Sequence, residues 1–425
     1  MSSAQSEAFT NAPIDPPETP LPALTAKHGR SFWQIVSRSY FRRIKNQIAT
    51  AYVVLLAVVA VIAPFIANGR PYTAVVDGKR VWPLFRMLSR EDRIVLLAGV
   101  GFLLYLAVRF FTRKRPPETR TPVRRIALLI LVVLGLVASG GIMWSMRHGD
   151  NNDLMTREDY KGITPDYDVQ GAVFPPLSWG FQDSIYPQSP ETQFADPSKE
   201  HWLGTDESSR DTLARLLWAT RVVFGIGLIS ELISLAIGIV YGAFMGYFGG
   251  TVDILGSRFI ELVESIPTLF LIITLVALLG REIYLIMIVL GLTGWTSIAR
   301  FVRAEFYRLR KMDFVAAAHA TGVPLTSILF RHMLPNGLTP ILVNATFGIA
   351  GAVTIESSLS YLGLGVQPPR ASWGSMLNAA GSPGGIFHFW AALAPGIMIF
   401  FTIFAYNIIG EGFRDAIDPR LNRLE

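Results

Sequence analysis

Four carboxylates stand inside or at the ends of long apolar runs: Glu231, Glu261, Glu264 and Glu356. An isolated charge in hydrocarbon is costly, so each must reach water, find a partner or line a polar pathway. Glu261 and Glu264 fall within a turn or two of the predicted cytoplasmic end of their run. Glu356, followed by Ser357, nears the outer end of another. Glu261, Glu264, Glu356 and Ser357 are therefore the candidate translocation-pathway residues. Catalysis has less to work with. The six histidines (His28, His148, His201, His319, His332, His388) show no HExxH or other ligand spacing. There is no cysteine, which excludes disulfides, zinc ribbons and thiolate catalysis. The phosphate loop G-x-x-x-x-G-K-[ST], the nucleophile elbow G-x-S-x-G and the G-x-G-x-x-G fingerprint are also missing. The expectation is a chain without catalytic residues, metal or cofactor, which binds no ATP itself.

The elements that carry these residues are membrane helices. The chain has 425 residues, 51% of them apolar, gathered in blocks. A helix crossing about 30 Å of hydrocarbon needs roughly 20 apolar residues. Eight segments meet that length, near 47–67, 93–112, 125–145, 221–247, 255–280, 283–306, 336–360 and 388–411. The middle four carry Gly, Pro, Ser and Glu, as suits helices packed on protein; Gly238, Gly242 and Gly246 share one face, and Pro267 predicts a kink. The net charge of +6 belongs to basic flanks of spans, not to nucleic-acid binding.

Charge sets the orientation. Residues 150–210 hold twelve Asp or Glu against four Lys or Arg and belong outside. Residues 300–331 hold six Lys or Arg and belong in the cytoplasm. Counting spans outward puts both termini inside. The segment 68–93, with six Lys or Arg, is then external, and nothing in the sequence accounts for its charge. Residues 1–30 are polar and proline-rich and read as a disordered tail. Trp33, Val36, Tyr40 and Ile44 then form the apolar face of a short helix lying in the interface. Segments 146–210 and 361–387 read as irregular external loops, the second tucked against the bundle.

The most informative stretch joins the sixth and seventh spans: Asp313-Phe-Val-Ala-Ala-Ala-His-Ala-Thr-Gly322, then Val323-Pro324 and Ile328 through Asn336. It predicts a short helix with an alanine patch (Ala316, Ala317, Ala318, Ala320), stopped at Gly322, with Pro324 suited to the start of the next helix. Small side chains let a partner's groove approach closely and push. A passive connector fits the same composition.

This stretch resembles the cytoplasmic "EAA" loop of ABC importer permeases. Asp313, Val315, Ala317, Ala318, Ala320, Gly322, Ile328, Arg331, His332, Leu334, Pro335 and Asn336 match the pattern, whereas Ala316, His319 and Thr321 replace its Glu, Arg and Leu. The missing Glu removes one candidate ion pair. His201-Trp-Leu-Gly-Thr-Asp206 with Arg210-Asp211, Glu356 through Pro369, Ser372-Trp-Gly374, and Gly410 through Leu421 are similar to signatures of the DppC/OppC/YejE dipeptide and oligopeptide permeases. The resemblance covers 31–67 and 201–425.

It implies an all-α integral membrane protein with the type I ABC importer permease fold. About eight transmembrane helices result, six family-like and two inserted. Residues 1–46 are the cytoplasmic tail and interfacial helix, 47–67 the first span, 68–200 the inserted region and 201–425 the permease core. Asp313, Ala317, Ala318, Gly322, Arg331, His332, Leu334 and Pro335 would dock an ATPase. The implied partners are a homologous DppB/OppB-like permease, two ATPase subunits and an external binding protein, in a bacterial inner membrane. The same machinery could carry nickel complexes, opines or peptide antibiotics. An ATPase-independent carrier or channel is the rival class, but the inverted repeats common in carriers are absent.

Overall fold

Long apolar runs dictate long helices, because a backbone in lipid must satisfy its own hydrogen bonds. The computed structural model describes residues 32–89, 92–97, 99, 101, 155–161, 168–185, 188–280, 282–381 and 387–417. The expected span 125–145, and most of 93–112, lie outside the described residues. Of the rest, α1 (Phe32–Arg42) and α2 (Ile44–Ile66) open the chain. A small layer expected on the outer side follows, with β1 (Thr73–Val76), β2 (Lys79–Val81), α3 (Pro83–Met87), α4 (Arg157–Tyr160) and β3 (Val169–Val173). The core comprises α5 (Thr212–Phe248), α6 (Gly250–Glu264), α7 (Thr268–Leu279), α8 (Ile283–Leu309), α9 (Asp313–Ala320), α10 (Leu325–Ser327), α11 (Leu334–Tyr361), α12 (Trp373–Ala379) and α13 (Phe389–Ile417).

Five described helices are long and apolar enough to cross a membrane, and α6 with α7 make a sixth if the bent pair is one span. That pair replaces the single helix expected over 255–280. Pro267 has no N–H to give and sits at ψ 119°, so the run breaks and its halves meet at 73°.

α5 and α8 pack along their length because glycines remove the side chains between them. A Cβ on Gly238, Gly242 or Gly246 would come within 3 Å of the α8 backbone at Trp295, Ala299 or Arg303. On the other helix, Gly291 lies against Ile233, and Ser234 Oγ donates to the Gly291 carbonyl at 2.9 Å. Backbones approach this closely only where both faces are small. α1 departs from expectation. Val36 and Tyr40 bury against Ala416 at the end of α13, and Tyr40 stacks on Phe413 at 4.5 Å. The face read as lipid-facing is covered by protein, while Ile44 is exposed.

The external layer was not legible in sequence. Strands order as β2-β1-β3, all antiparallel, with Val76 opposite both Lys79 and Val169. Ala74, Met155 and Tyr160 form its core. β1 precedes the expected inserted spans in sequence and β3 follows them, and the two strands pair. The pairing brings part of the basic 68–93 segment beside the acidic 150–210 segment, with Arg70 in the field of Asp183. Asp92 of the same segment pairs with Arg221 of α5.

Candidate functional site

The loop between α8 and α11 hangs from the bundle by one face. In α9, Val315 and Ala318 bury among Val302, Phe306, Leu309, Ile328 and Leu329. Asp313, Ala316, Ala317, His319 and Ala320 face outward. Ala318, expected on the docking face, thus points inward, 8% exposed, and serves as an anchor. The stop at Gly322 has the expected cause. Its φ of +72° is left-handed backbone that favours glycine. The Gly322 N–H donates to the His319 carbonyl at 3.0 Å and the Val323 N–H to Ala318 at 3.1 Å, closing the helix end. The next turn, Ile328–Met333, is π-helical, a form frequent at functional sites, and it runs straight into α11. Arg331 and Pro335 are exposed, His332 and Leu334 half-buried.

This segment is tied to the other helices. His319 stacks on Tyr247 and hydrogen-bonds its hydroxyl, joining α9 to the C-terminal end of α5. Arg310 Nη1 donates to the Tyr247 carbonyl at 3.0 Å. Arg303 forks onto Asp253, and Arg300 meets Glu264, so α8 grips α6 by charge. A displacement of α9 would therefore be felt by α5, α8 and α11 together.

The signature residues His201, Asp206, Arg210 and Asp211 are clamps. Asp211 caps α5, its Oδ1 accepting from the Ala214 N–H at 2.7 Å; its Oδ2 meets His201 Nδ1 at 2.8 Å, both side chains buried. Asp206 accepts from Ser208 N, Arg210 N and Arg210 Nε, each at 2.9 Å. Replacing Asp211 with alanine removes a cap, about 1 kcal/mol, and leaves a buried imidazole unpaired, about 1 kcal/mol more. The thermal midpoint of the purified chain should drop by several degrees, and an unchanged midpoint would count against the clamp.

The pathway candidates separate. Glu356 is 0% exposed: Ser360 Oγ donates to it at 2.7 Å and accepts from the Val366 N–H at 3.1 Å. Ser357 is buried, its backbone pressed by Gly374, where a Cβ would stand 2.4 Å from the Ser357 carbonyl. Here both residues fasten the outer loop and α12 to α11 and face no open space. Glu264 pairs with Arg300, and exposed Glu261 pairs with Arg258 at 2.6 Å. Glu231 lies buried against Gly348 of α11, and its Oε1 has no hydrogen-bond partner among the described residues.

Sequence reading missed a cavity of about 670 Å³ at the N-terminal ends of α5 and α8. Arg70, Asp92, Asp183, Arg221 and Arg370 line it, with an apolar wall that includes Trp218 and Ile283. Burial raises the Asp183 carboxyl above its ordinary value, against the N–H of Gly180 and the positive field of Arg70, which lower it. No motif signals this site, because its residues come from stretches far apart in the chain.

A family model described as "Binding-protein-dependent transport system inner membrane component" matches residues 238–423. The oligopeptide transport system permease protein OppC of Haemophilus influenzae is 40% identical over 220 residues, 52% of this chain and 70% of that protein. The dipeptide transport system permease protein DppC of Bacillus subtilis is 37% identical over 241 residues, 56% of this chain and 75% of that protein. A chain from the inward-facing MetNI methionine ABC transporter superposes with a TM-score of 0.37 at 18% identity, over 49% of this chain and 96% of that one.

Proposed function

Since this chain belongs to the family of binding-protein-dependent transport system inner membrane components, we propose that it is the permease half of an ATP-driven importer of peptides. One observation carries the mechanism: α9 presents a small-residue face outward while Val315 and Ala318 root it among α5, α8 and α11. An ATPase seated on Asp313, Ala317 and Gly322, with Arg331, His332 and Pro335 beside them, would move the helices through that root. Ala316 offers no charge where the family pattern has Glu, so one ion pair is missing, while Asp313 and Arg331 remain exposed. The peptide class follows from the relatives, which are named for oligopeptides and dipeptides.

A second, homologous permease completes the pathway. α6 and α7 leave Leu255, Phe259, Leu262, Phe270 and Leu278 exposed, and among them stand Arg258, Glu261 and Glu264. Charges at that position suit a protein partner or a polar pathway better than lipid, so Glu261 and Glu264 are retained as pathway residues. An external binding protein delivers substrate, and a second ATPase docks on the partner permease. The chain spans the inner membrane several times, with both termini in the cytoplasm. Residues 201–425 form the core, 1–46 and 47–67 its approach, and 68–200 an insertion.

Proteoliposomes holding this chain, its partner permease and the ATPases test the reading. Labelled tripeptide should accumulate only with ATP and binding protein present. Accumulation that persists without the ATPases would establish a carrier and end the proposal.

A further inference from the structure

The cavity beside α5 and α8 combines apolar walls with charged side chains. Its three arginines face two aspartates. Arg221 and Asp92 satisfy each other, their side chains 12% and 10% exposed. Asp183 lies against the backbone of Gly69 and accepts from the Gly180 N–H at 2.6 Å. Arg70 differs. Its guanidinium carbon lies 5.5 Å from the centre of the Tyr160 ring, yet its Nη1 is buried with no hydrogen-bond partner among the described residues. An unmade bond on a buried charged donor is costly, and a carboxylate is its natural complement. Arg370 adds a second positive charge to the wall, over the ring of Tyr284. The volume falls within the roughly 300–1,000 Å³ of small-ligand sites.

The wall has two origins. Trp218, Arg221 and Gly225 belong to α5, whereas Arg70, Ser89 and Asp92 come from the segment read as inserted. The insertion therefore contributes the donor that lacks a partner, and the Asp92–Arg221 pair fastens it to the core.

We propose that this cavity is a binding site for a small carboxylate ligand, a short peptide held by its free C-terminus on Arg70, on the outer side of the membrane. The ligand's identity as a peptide rests on the function proposed above; the carboxylate preference rests on the cavity alone. The site would hold substrate between its arrival at the outer face and its passage inward.

Binding of trialanine and of trialanine amide to the full chain in lipid nanodiscs tests this directly, without ATP. Trialanine should bind at least tenfold more tightly than the amide, and R70Q should abolish the difference. G225L is the second variant: a Cβ there meets only the Met287 methyl, at 3.4 Å, so the added side chain fills the cavity with little disturbance of packing. It should lose binding while keeping the thermal midpoint of the unaltered chain. Equal binding of the two peptides, no binding of either, or unchanged discrimination in R70Q would overturn the site. Uptake by the complete importer separates this failure from that of the function. If the unaltered importer moves neither peptide, the peptide reading falls. If it moves trialanine and R70Q moves it equally well, the cavity falls alone.

Discussion

Replacing Gly242 with leucine is expected to unfold the core of the permease. A Cβ at this position would stand 2.4 Å from the Ala299 carbonyl oxygen, 2.8 Å from the Val302 Cβ and 3.0 Å from the Arg303 nitrogen. Two of those atoms are α8 backbone, which cannot rotate aside as a side chain can. Overpacking a core costs about 1–3 kcal/mol even where side chains can give way. Against backbone the cost should reach the upper end or beyond, because α5 and α8 must separate along their shared face. Gly246 and Gly238 make the same contact one turn away on either side, so strain at Gly242 cannot be relieved by tilting. Folded yield, followed by fluorescence-detected size exclusion, should drop by about tenfold. G351L is the control: nothing lies within 4 Å of a Cβ there, and its yield should stay near that of the unaltered chain. Equal yields for both variants would show that the two helices are not in glycine-mediated contact.

The second large effect divides α9 in two. Ala317 is exposed and Ala318 is buried in the cluster that includes Phe306 and Met333. A317W should leave the thermal midpoint unchanged, because the indole projects away from the bundle, yet lower ATP-driven peptide uptake more than tenfold by obstructing the ATPase groove. A318W should do the reverse first, destabilising the chain by about 2 kcal/mol through overpacking. ATPase co-purification separates the two: it should be lost in A317W while the folded permease is recovered in full. Retained co-purification and uptake in A317W would remove α9 as the docking element, whatever its anchoring.

Much of this was open to reading from composition and local pattern. A run of about 20 apolar residues has few choices in a bilayer, so α2, α5, α8, α11 and α13 follow from hydropathy. Gly322 ends α9 because the chain there needs left-handed backbone, a local demand that a local sequence meets. The glycine face of α5 announced a close neighbour, though not which helix it would be. Where the reading missed, the cause was distance along the chain. Val36 and Tyr40 form an apolar face that suits a membrane surface or a protein surface equally, and only α13, returning more than 370 residues later, chose the second. Ala317 and Ala318 are chemically identical, and the direction of each depends on how α9 is rolled against the bundle.

Local pattern was enough for a multi-span membrane protein and for the short glycine-stopped helix between α8 and α11, since burial in lipid and helix termination are decided over one to six turns. Tertiary structure alone decided which faces meet: the sheet that joins β1 to β3 across the inserted interval, the charge balance between the basic and acidic external segments, and the arginine-lined cavity. Each of these brings together residues from distant stretches. Coulomb and hydrogen-bond forces act over a few ångströms of space, and separation along the chain does not reveal separation in space.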